Sequence, residues 1–275
     1  MARDRKVALL CGVPYRVDIS GPPSDALDLL VQLGALDLEP VGDGLAALLP
    51  DAVAPETVAG LLGGAQVRVS AAVARDNGSV WMLSARPVRV GGLVIAPPDA
   101  EAAVDVLRLA DSAAFGTGHH PTTALCVEAL GEIVSGECPD SMLDVGTGSG
   151  ILALASLKMG VPQAVGLDID PAALEAARQN AWLNGLAERL RLVPGGPDAA
   201  EGNWPLVAAN VLAAPLIEMA PVLVRRLGSR GRLLLSGIPY SLEAEVRHAY
   251  EHLGMRHTGS KTRAGWALVT AQASW

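Results

Sequence analysis

The chain is poor in aromatic residues, which make up 3% of its 275 positions, with Phe115 the single phenylalanine. A stacking platform for single-stranded nucleic acid needs several such rings, so that class of function is disfavoured. Cysteine is scarce too. Cys11, Cys126 and Cys138 are scattered, odd in number and form no CxxC pair. No disulfide framework follows, and a reducing compartment is expected. Positive charge is in deficit, with 21 Lys and Arg against 29 Asp and Glu and a net charge of −8. This argues against a broadly basic phosphate-binding surface and makes a basic protein or a small molecule the easier partner. No run of about 18 apolar residues occurs, so no membrane span is expected. The apolar stretch Val7 to Val13 behind Met1-Ala2-Arg3-Asp4-Arg5-Lys6 is too short for a signal peptide and lacks a small-residue cleavage site. A cytoplasmic chain without direct nucleic-acid binding is expected.

What is present is a large apolar fraction, 50%, broken by 30 Gly and 19 Pro. That mixture can bury a sizeable core and suits many short elements joined by tight loops. The first 75 residues alternate in small units. Arg16 to Ile19 reads as a strand, and Ser24 as the cap of a helix with Leu27, Leu30, Val31 and Leu33 on one face. Leu36 to Glu39 alternates again, Gly42-Asp43-Gly44 is a hairpin turn, and Leu45 to Leu49 follows it. Pro55 to Leu62 is a short helix, and Val67 to Ser70 a last strand. This β-α-β-β-α-β order is the ferredoxin-like pattern and predicts a small α+β domain over 1–75. Residues 76–111 read as a connection, with a turn at Asn77-Gly78, strand and loop over Trp81 to Ile95, and helix over Glu101 to Leu109. From Pro121 strands and helices alternate. That rhythm predicts a doubly wound, mainly parallel sheet over 112–275. A closing hairpin is expected at Met255 to Lys261 and Trp266 to Ala271.

The strongest local signal is Leu143-Asp144-Val145-Gly146-Thr147-Gly148-Ser149-Gly150, an apolar strand running into a glycine-rich turn that opens a helix. Such a turn lets a ligand approach the backbone, and the helix start offers free N–H groups. The dinucleotide fingerprint would need glycine at 151, where Ile151 stands. Asp168 ends the next strand, 18 residues after Gly150, and its carboxylate can accept both hydroxyls of a ribose. The pattern suits a nucleoside without a pyrophosphate, and S-adenosylmethionine is such a ligand. A second cluster, Phe115 to Thr123, combines glycines, hydroxyls and His119-His120. Adjacent histidines point apart, and no third ligand is spaced nearby, so no metal is expected. Thr122 or Thr123 is the expected helix cap, and the cluster reads functionally as a lid over the cofactor. Asn210 ends an apolar strand, where its amide carbonyl can accept a hydrogen bond from an amine; taken alone it is equally a helix cap. Ser149 lacks the nucleophile elbow, and His248, His252 and His257 read as surface residues.

Six stretches then carry a resemblance. They are Phe115-Gly-Thr-Gly-His-His-Pro-Thr-Thr123, Leu143-Asp-Val-Gly-Thr-Gly-Ser-Gly-Ile-Leu152, Gly166-Leu-Asp-Ile-Asp-Pro171, Asn180-Ala-Trp-Leu-Asn-Gly185, Ala209-Asn-Val-Leu-Ala-Ala-Pro-Leu216 and Leu234-Leu-Ser-Gly-Ile238. The second half resembles class I S-adenosylmethionine-dependent methyltransferases with a seven-stranded, Rossmann-like sheet. More narrowly it resembles the ribosomal protein L11 methyltransferase family, PrmA. The resemblance implies S-adenosylmethionine as cofactor, with Thr123, Gly146, Gly148, Asp168 and Asn210 at cofactor-contacting positions and Asn210 also beside the acceptor amine. It implies methyl transfer to lysine, or to an N-terminal amine, of a large-subunit ribosomal protein recruited by the N-terminal domain. The alternatives are a methyltransferase acting on another protein or a small molecule, or a cofactor-binding interaction module without turnover. The sequence departs from the family pattern at Ala110-Asp111-Ser112, where Asp-Pro-Gly is usual, at His119, where Thr is usual, and at Met82 and Ala85, where Lys and an aromatic residue are usual.

Overall fold

Alternating burial makes Tyr15–Ser20 a strand, β1, with Tyr15, Val17 and Ile19 facing inward. In this computed structural model, which describes residues 12–76, 80–110 and 116–275, the chain forms two units, Met1–Ala85 and Arg86–Trp275. The first continues with α1 (Ala26–Gln32), β2 (Asp37–Val41), β3 (Gly44–Leu49), α2 (Pro55–Leu61) and β4 (Gln66–Ala71), followed by the two-residue strands β5 (Ala74–Arg75) and β6 (Val80–Trp81). The main sheet is antiparallel, in the order β2-β3-β1-β4, the ferredoxin-like arrangement. Gly42 sits at φ +60° in the two-residue turn between β2 and β3, the glycine-first hairpin geometry that strand twist favours. Val17, Ile19, Ala47 and Leu49 pack with Leu30, Val58 and Leu62 on one face of the sheet.

One helix face differs from the sequence reading. Leu30 is fully buried, but Leu27 and Val31 are exposed. A helix of seven residues meets the sheet along one narrow stripe, here Ala26, Leu29, Leu30 and Leu33, and the other positions turn to water. Its N-cap is Asp25, not Ser24, and no side chain caps it.

The second unit opens with β7 (Val88–Val90), β8 (Leu93–Ala96) and β9 (Val106–Arg108), a small three-stranded sheet. Helix was expected over Glu101 to Leu109. Instead β9 pairs in parallel with β8, because only Leu107 of its three residues is buried and its neighbours lie at the period-two positions of a strand. The residues read as a connection are thus divided between the units, and Val90, Leu93, Ile95 and Leu107 join the core of the second. The turn read at Asn77-Gly78 lies outside the described residues.

The chain then builds α3 (Pro121–Glu137), β10 (Ser141–Val145), α4 (Ile151–Met159), β11 (Gln163–Asp168), α5 (Pro171–Leu183), β12 (Leu190–Pro194), β13 (Trp204–Asn210), α6 (Ala213–Arg225), β14 (Leu227–Pro239), α7 (Glu243–Glu251), β15 (Met255–Arg263) and β16 (Trp266–Ala273). The seven-stranded sheet runs β12-β11-β10-β13-β14-β16-β15. Pairing is parallel from β12 to β14 and antiparallel on both sides of β16. Met142, Leu206, Ala208 and Leu234 pack on the face covered by α3 and α4. Leu143, Val207, Leu233 and Leu235 pack on the face covered by α6 and α7. Strands buried on both faces must be apolar at successive positions, which is why these runs do not alternate. Strand order reverses between β10 and β13, and in open α/β sheets the crevice at such a reversal is where ligands bind. Among the described residues no helix is long and apolar enough to cross a membrane.

Candidate active site

The five residues singled out from the sequence stand at the carboxyl ends of β10, β11 and β13 or, for Thr123, in the first turn of α3. Gly146 and Gly148 follow β10 with φ of +71° and +55°, a left-handed backbone that a side chain would strain. A Cβ on Gly146 would also come within 2.5 Å of Val211 Cγ1. Gly146 N and Thr147 N both donate to Leu167 O, at 2.9 and 2.8 Å, so the turn bends back over β11.

Asp168 ends β11 half-buried. Its Oδ2 accepts from Gly148 N at 2.9 Å, and its Oδ1 accepts from Asp170 N at 3.0 Å. Each oxygen keeps a second lone pair, so the carboxylate can still accept a pair of hydroxyls. The next residue, Ile169, is 83% exposed, an apolar side chain held in water beside that carboxylate. Asp170 then caps α5 by accepting from Ala172 N at 2.8 Å, with Pro171 at the first helical position.

Asn210 follows the parity of Leu206 and Ala208, so its side chain points to the α3 face of the sheet. Its Nδ2 lies 3.5 Å from Thr123 Oγ1, a long hydrogen bond, and Thr123 is fully buried. Asn210 Oδ1 is buried with no hydrogen-bond partner among the described residues. A buried carbonyl left unpaired costs about 1–3 kcal/mol, so it marks a place where a donor belongs. The structure therefore joins the predicted residues in two pairs, Gly148 with Asp168 and Thr123 with Asn210.

The cap of α3 is neither threonine. It is His120, whose Nδ1 accepts from Thr122 N at 3.3 Å and lies 2.7 Å from Thr122 Oγ1. The ring is buried and meets Trp266 edge-on with centroids 5.1 Å apart. An imidazole nitrogen two residues before a backbone N–H does the work of the expected hydroxyl. His119 departs from the family pattern, and its Nε2 lies 3.0 Å from Arg86 O. Phe115, Asp111 and Ser112 lie outside the described residues.

Asp144 was legible only as a letter of the glycine motif. Its side chain is fully buried. Oδ2 accepts from Thr147 Oγ1 at 2.7 Å and from Ala153 N at 3.2 Å, tying the turn to α4, while Oδ1 has no partner among the described residues. Burial, with a smaller push from the Asp168 charge, raises its pKa from 3.8 to about 6 against those two hydrogen bonds. Of the two cysteines described, both free, Cys138 is exposed, and burial drives the Cys126 thiol far up, out of nucleophilic range.

The crevice at the strand-order reversal, the glycine turn folded onto the acidic end of β11 and the free amide oxygen at the end of β13 are the arrangement of a class I S-adenosylmethionine-dependent methyltransferase, the class to which the chain's relatives belong. The comparisons with known proteins agree and narrow the class. Residues 53–274 match the family model described as ribosomal protein L11 methyltransferase (PrmA), and the chain belongs to that family. The chain is 33% identical over 282 residues to the ribosomal protein L11 methyltransferase of Myxococcus xanthus, covering 93% of this chain and 96% of the relative. It is 37% identical over 215 residues to that of Pelobacter propionicus, covering 75% and 70%. Among solved structures, the ribosomal protein L11 methylase of Lactobacillus delbrueckii subsp. bulgaricus superposes with a TM-score of 0.63 at 28% identity, over 69% of this chain and all of that one.

Proposed function

We propose that this chain methylates amino groups of a large-subunit ribosomal protein, on lysine side chains or an N-terminal amine, using S-adenosylmethionine held by Gly146, Gly148, Asp168, Thr123 and Asn210. The relatives' names supply the substrate class. The observation that carries the chemistry is Asn210 Oδ1, a buried acceptor without a donor at the end of β13. When bound, the cofactor supplies a methyl group on a positively charged sulfur. The protein's residues do the rest.

Asp168 accepts the ribose hydroxyls, the glycine turn lets the ligand lie against backbone, and Ile169 offers an apolar face to the adenine. Asn210 Oδ1 accepts an N–H of the incoming amine and aims its lone pair at the methyl carbon. Lysine must arrive neutral, and leaving water for this crevice lowers its pKa. No covalent catalysis is required, because positioning and exclusion of water supply the rate. The N-terminal unit recruits the protein substrate, and a net charge of −8 favours a basic one.

The test is to incubate the pure protein with methyl-labelled S-adenosylmethionine and separated ribosomal proteins. Label in one of them supports the reading, and no label in any of them refutes it. Asn210→Ala should lower turnover about 10²-fold, the scale of a misplacement of about 1 Å, while affinity for S-adenosylhomocysteine changes much less. A lower melting temperature with an intact rate would make Asn210 a structural residue.

A further inference from the structure

Asn180 stands in the last turn of α5 and has no part in the roles above. Its side chain is fully buried and both of its ends are used. Nδ2 donates to Ser149 O at 2.8 Å, and Oδ1 accepts from Ala110 N at 2.8 Å. Ser149 Oγ in turn donates to Gly116 O at 2.8 Å. The backbone at 110 and the backbone at 116 are thus fastened to one residue, Ser149, directly at 116 and through Asn180 at 110. Ser149 sits between Gly148 and Gly150, both at positive φ, in the turn whose Gly148 N–H holds Asp168. One helical turn further on, Asn184 accepts from Arg108 N at 2.9 Å and donates to Arg108 O and Asn180 O, both at 2.7 Å. That second amide secures β9 to α5 but does not reach the glycine turn.

Asparagine is a weak helix former, and burying its amide costs free energy unless every group is paired. At 180 it stands among Ala176, Ala177 and Ala181, where an apolar residue would suit the helix better. What the amide provides instead is a fixed place for Ser149, which joins two backbones, its own and, through its hydroxyl, that of Gly116. One is the glycine turn, which leads to Asp168. The other is the segment from Gly116 to Thr123, which leads to Asn210. The Gly116 position is tight as well, since a Cβ there would stand 2.6 Å from Ser149 Oγ and 2.8 Å from Ile151 Cγ2.

We propose that Asn180 is a positioning residue for methyl transfer, acting through Ser149 to hold the glycine turn at a set distance from the Thr123–Asn210 pair. The inference rests on the cofactor assignment made above. Without the amide, the Ser149 carbonyl and the Ala110 N–H lose their partner, and the two halves of the pocket drift relative to each other.

The experiment uses the full chain and three variants. Asn180→Ala removes both arms. Asn180→Asp keeps the shape and the acceptor toward Ala110 N but loses the donor to Ser149 O, and it serves if the alanine variant does not fold. Asn184→Ala loosens the same helix without touching Ser149. Calorimetric titration with S-adenosylhomocysteine, steady-state kinetics and thermal unfolding are read on each. For both Asn180 variants the dissociation constant should rise about tenfold, and turnover at saturating S-adenosylmethionine should fall by about 10- to 100-fold, the scale expected for sub-ångström to ångström misplacement. Asn184→Ala should lower the melting temperature and leave binding within twofold. The proposal is overturned if Asn180 variants melt lower yet bind and turn over within twofold of the unaltered chain, or if Asn184→Ala weakens binding as much as they do. Failure of the unaltered chain to bind S-adenosylhomocysteine would refute the cofactor assignment instead.

Discussion

Replacing Asp144 by asparagine tests whether a carboxylate is buried under the glycine turn at a cost in stability. In the folded chain the carboxyl holds its proton until about pH 6, against 3.8 for an ordinary aspartate. Below pH 4 it is protonated in both folded and unfolded states and contributes no pH dependence. Between about pH 4 and 6 the unfolded chain ionises and the folded chain does not. The folded state then binds more protons, so stability falls as pH rises through that window. The difference of about 2 pH units corresponds to about 3 kcal/mol lost by pH 7, at 1.36 kcal/mol per unit. Asp144→Asn cannot titrate. Its amide oxygen can still accept from Thr147 Oγ1 and Ala153 N, though its NH2 group takes the place of the unpartnered Oδ1. That new buried donor costs about 1–3 kcal/mol at every pH. The sharp quantity is therefore the stability of variant minus unaltered chain as a function of pH, which should rise by about 3 kcal/mol from pH 4 to 7. Urea unfolding followed by tryptophan fluorescence measures it, and four of the five tryptophans (Trp182, Trp204, Trp266 and Trp275) report on the unit that holds Asp144. A difference that stays flat across that range refutes the argument. A difference that falls would mean the native carboxylate is stabilised rather than strained.

Three further outcomes follow from the same geometry. Asp168→Ala removes the charged acceptor of Gly148 N–H and the acceptor proposed for the ribose, and calorimetry should show S-adenosylhomocysteine binding weakened by about 1.5–3 kcal/mol, the worth of a hydrogen bond to a charged group; unchanged affinity takes Asp168 out of the site. A chain beginning at Arg86 should keep its fold by circular dichroism and bind S-adenosylhomocysteine, yet lose activity on the intact protein substrate, and full activity there would end the recruiting role of the first unit. Gly237→Ala sets a Cβ 2.1 Å from Val211 O at a φ of +83°, so strain of about 1–3 kcal/mol plus a backbone clash should lower the melting temperature by about 10 °C; a change under 2 °C would show that the two strand ends are free to part.

Most of the second unit was legible because its signals are local. A parallel strand buried on both faces is an apolar run, and the alternation of such runs with helices from Pro121 onward marks a doubly wound sheet. The glycine turn and Asp168 were legible for the same reason, since each sits at a strand end that the pattern defines. What stayed hidden depends on contacts far apart in sequence. A strand of three residues at 106–108 is shorter than a helical turn, and only its pairing with β8 decides its state. The exposed side of α1 depends on where the sheet lies beneath it. The cap His120 was masked because threonines are better known caps and stood next to it. Asn180 was quoted as part of a motif, yet its partners are 31 and 70 positions away. A polar residue in the alanine stripe of α5 was the one sequence signal that could have exposed it.

The place of β16 has a consequence for how the protein is made. It follows every other described strand in sequence, and it lies inside the sheet, between β14 and β15. Until Trp266–Ala273 have left the ribosome, the 13-residue β14, with Leu233, Leu234 and Leu235 at its centre, has one side without a strand partner. A long apolar edge of that kind pairs readily with other chains. Because β16 is antiparallel to β14 and hydrogen-bonded to β15 on its other side, its arrival closes two ladders at once. The growing chain is therefore exposed to aggregation until β16 has been made, although nearly all of the cofactor crevice is translated before it.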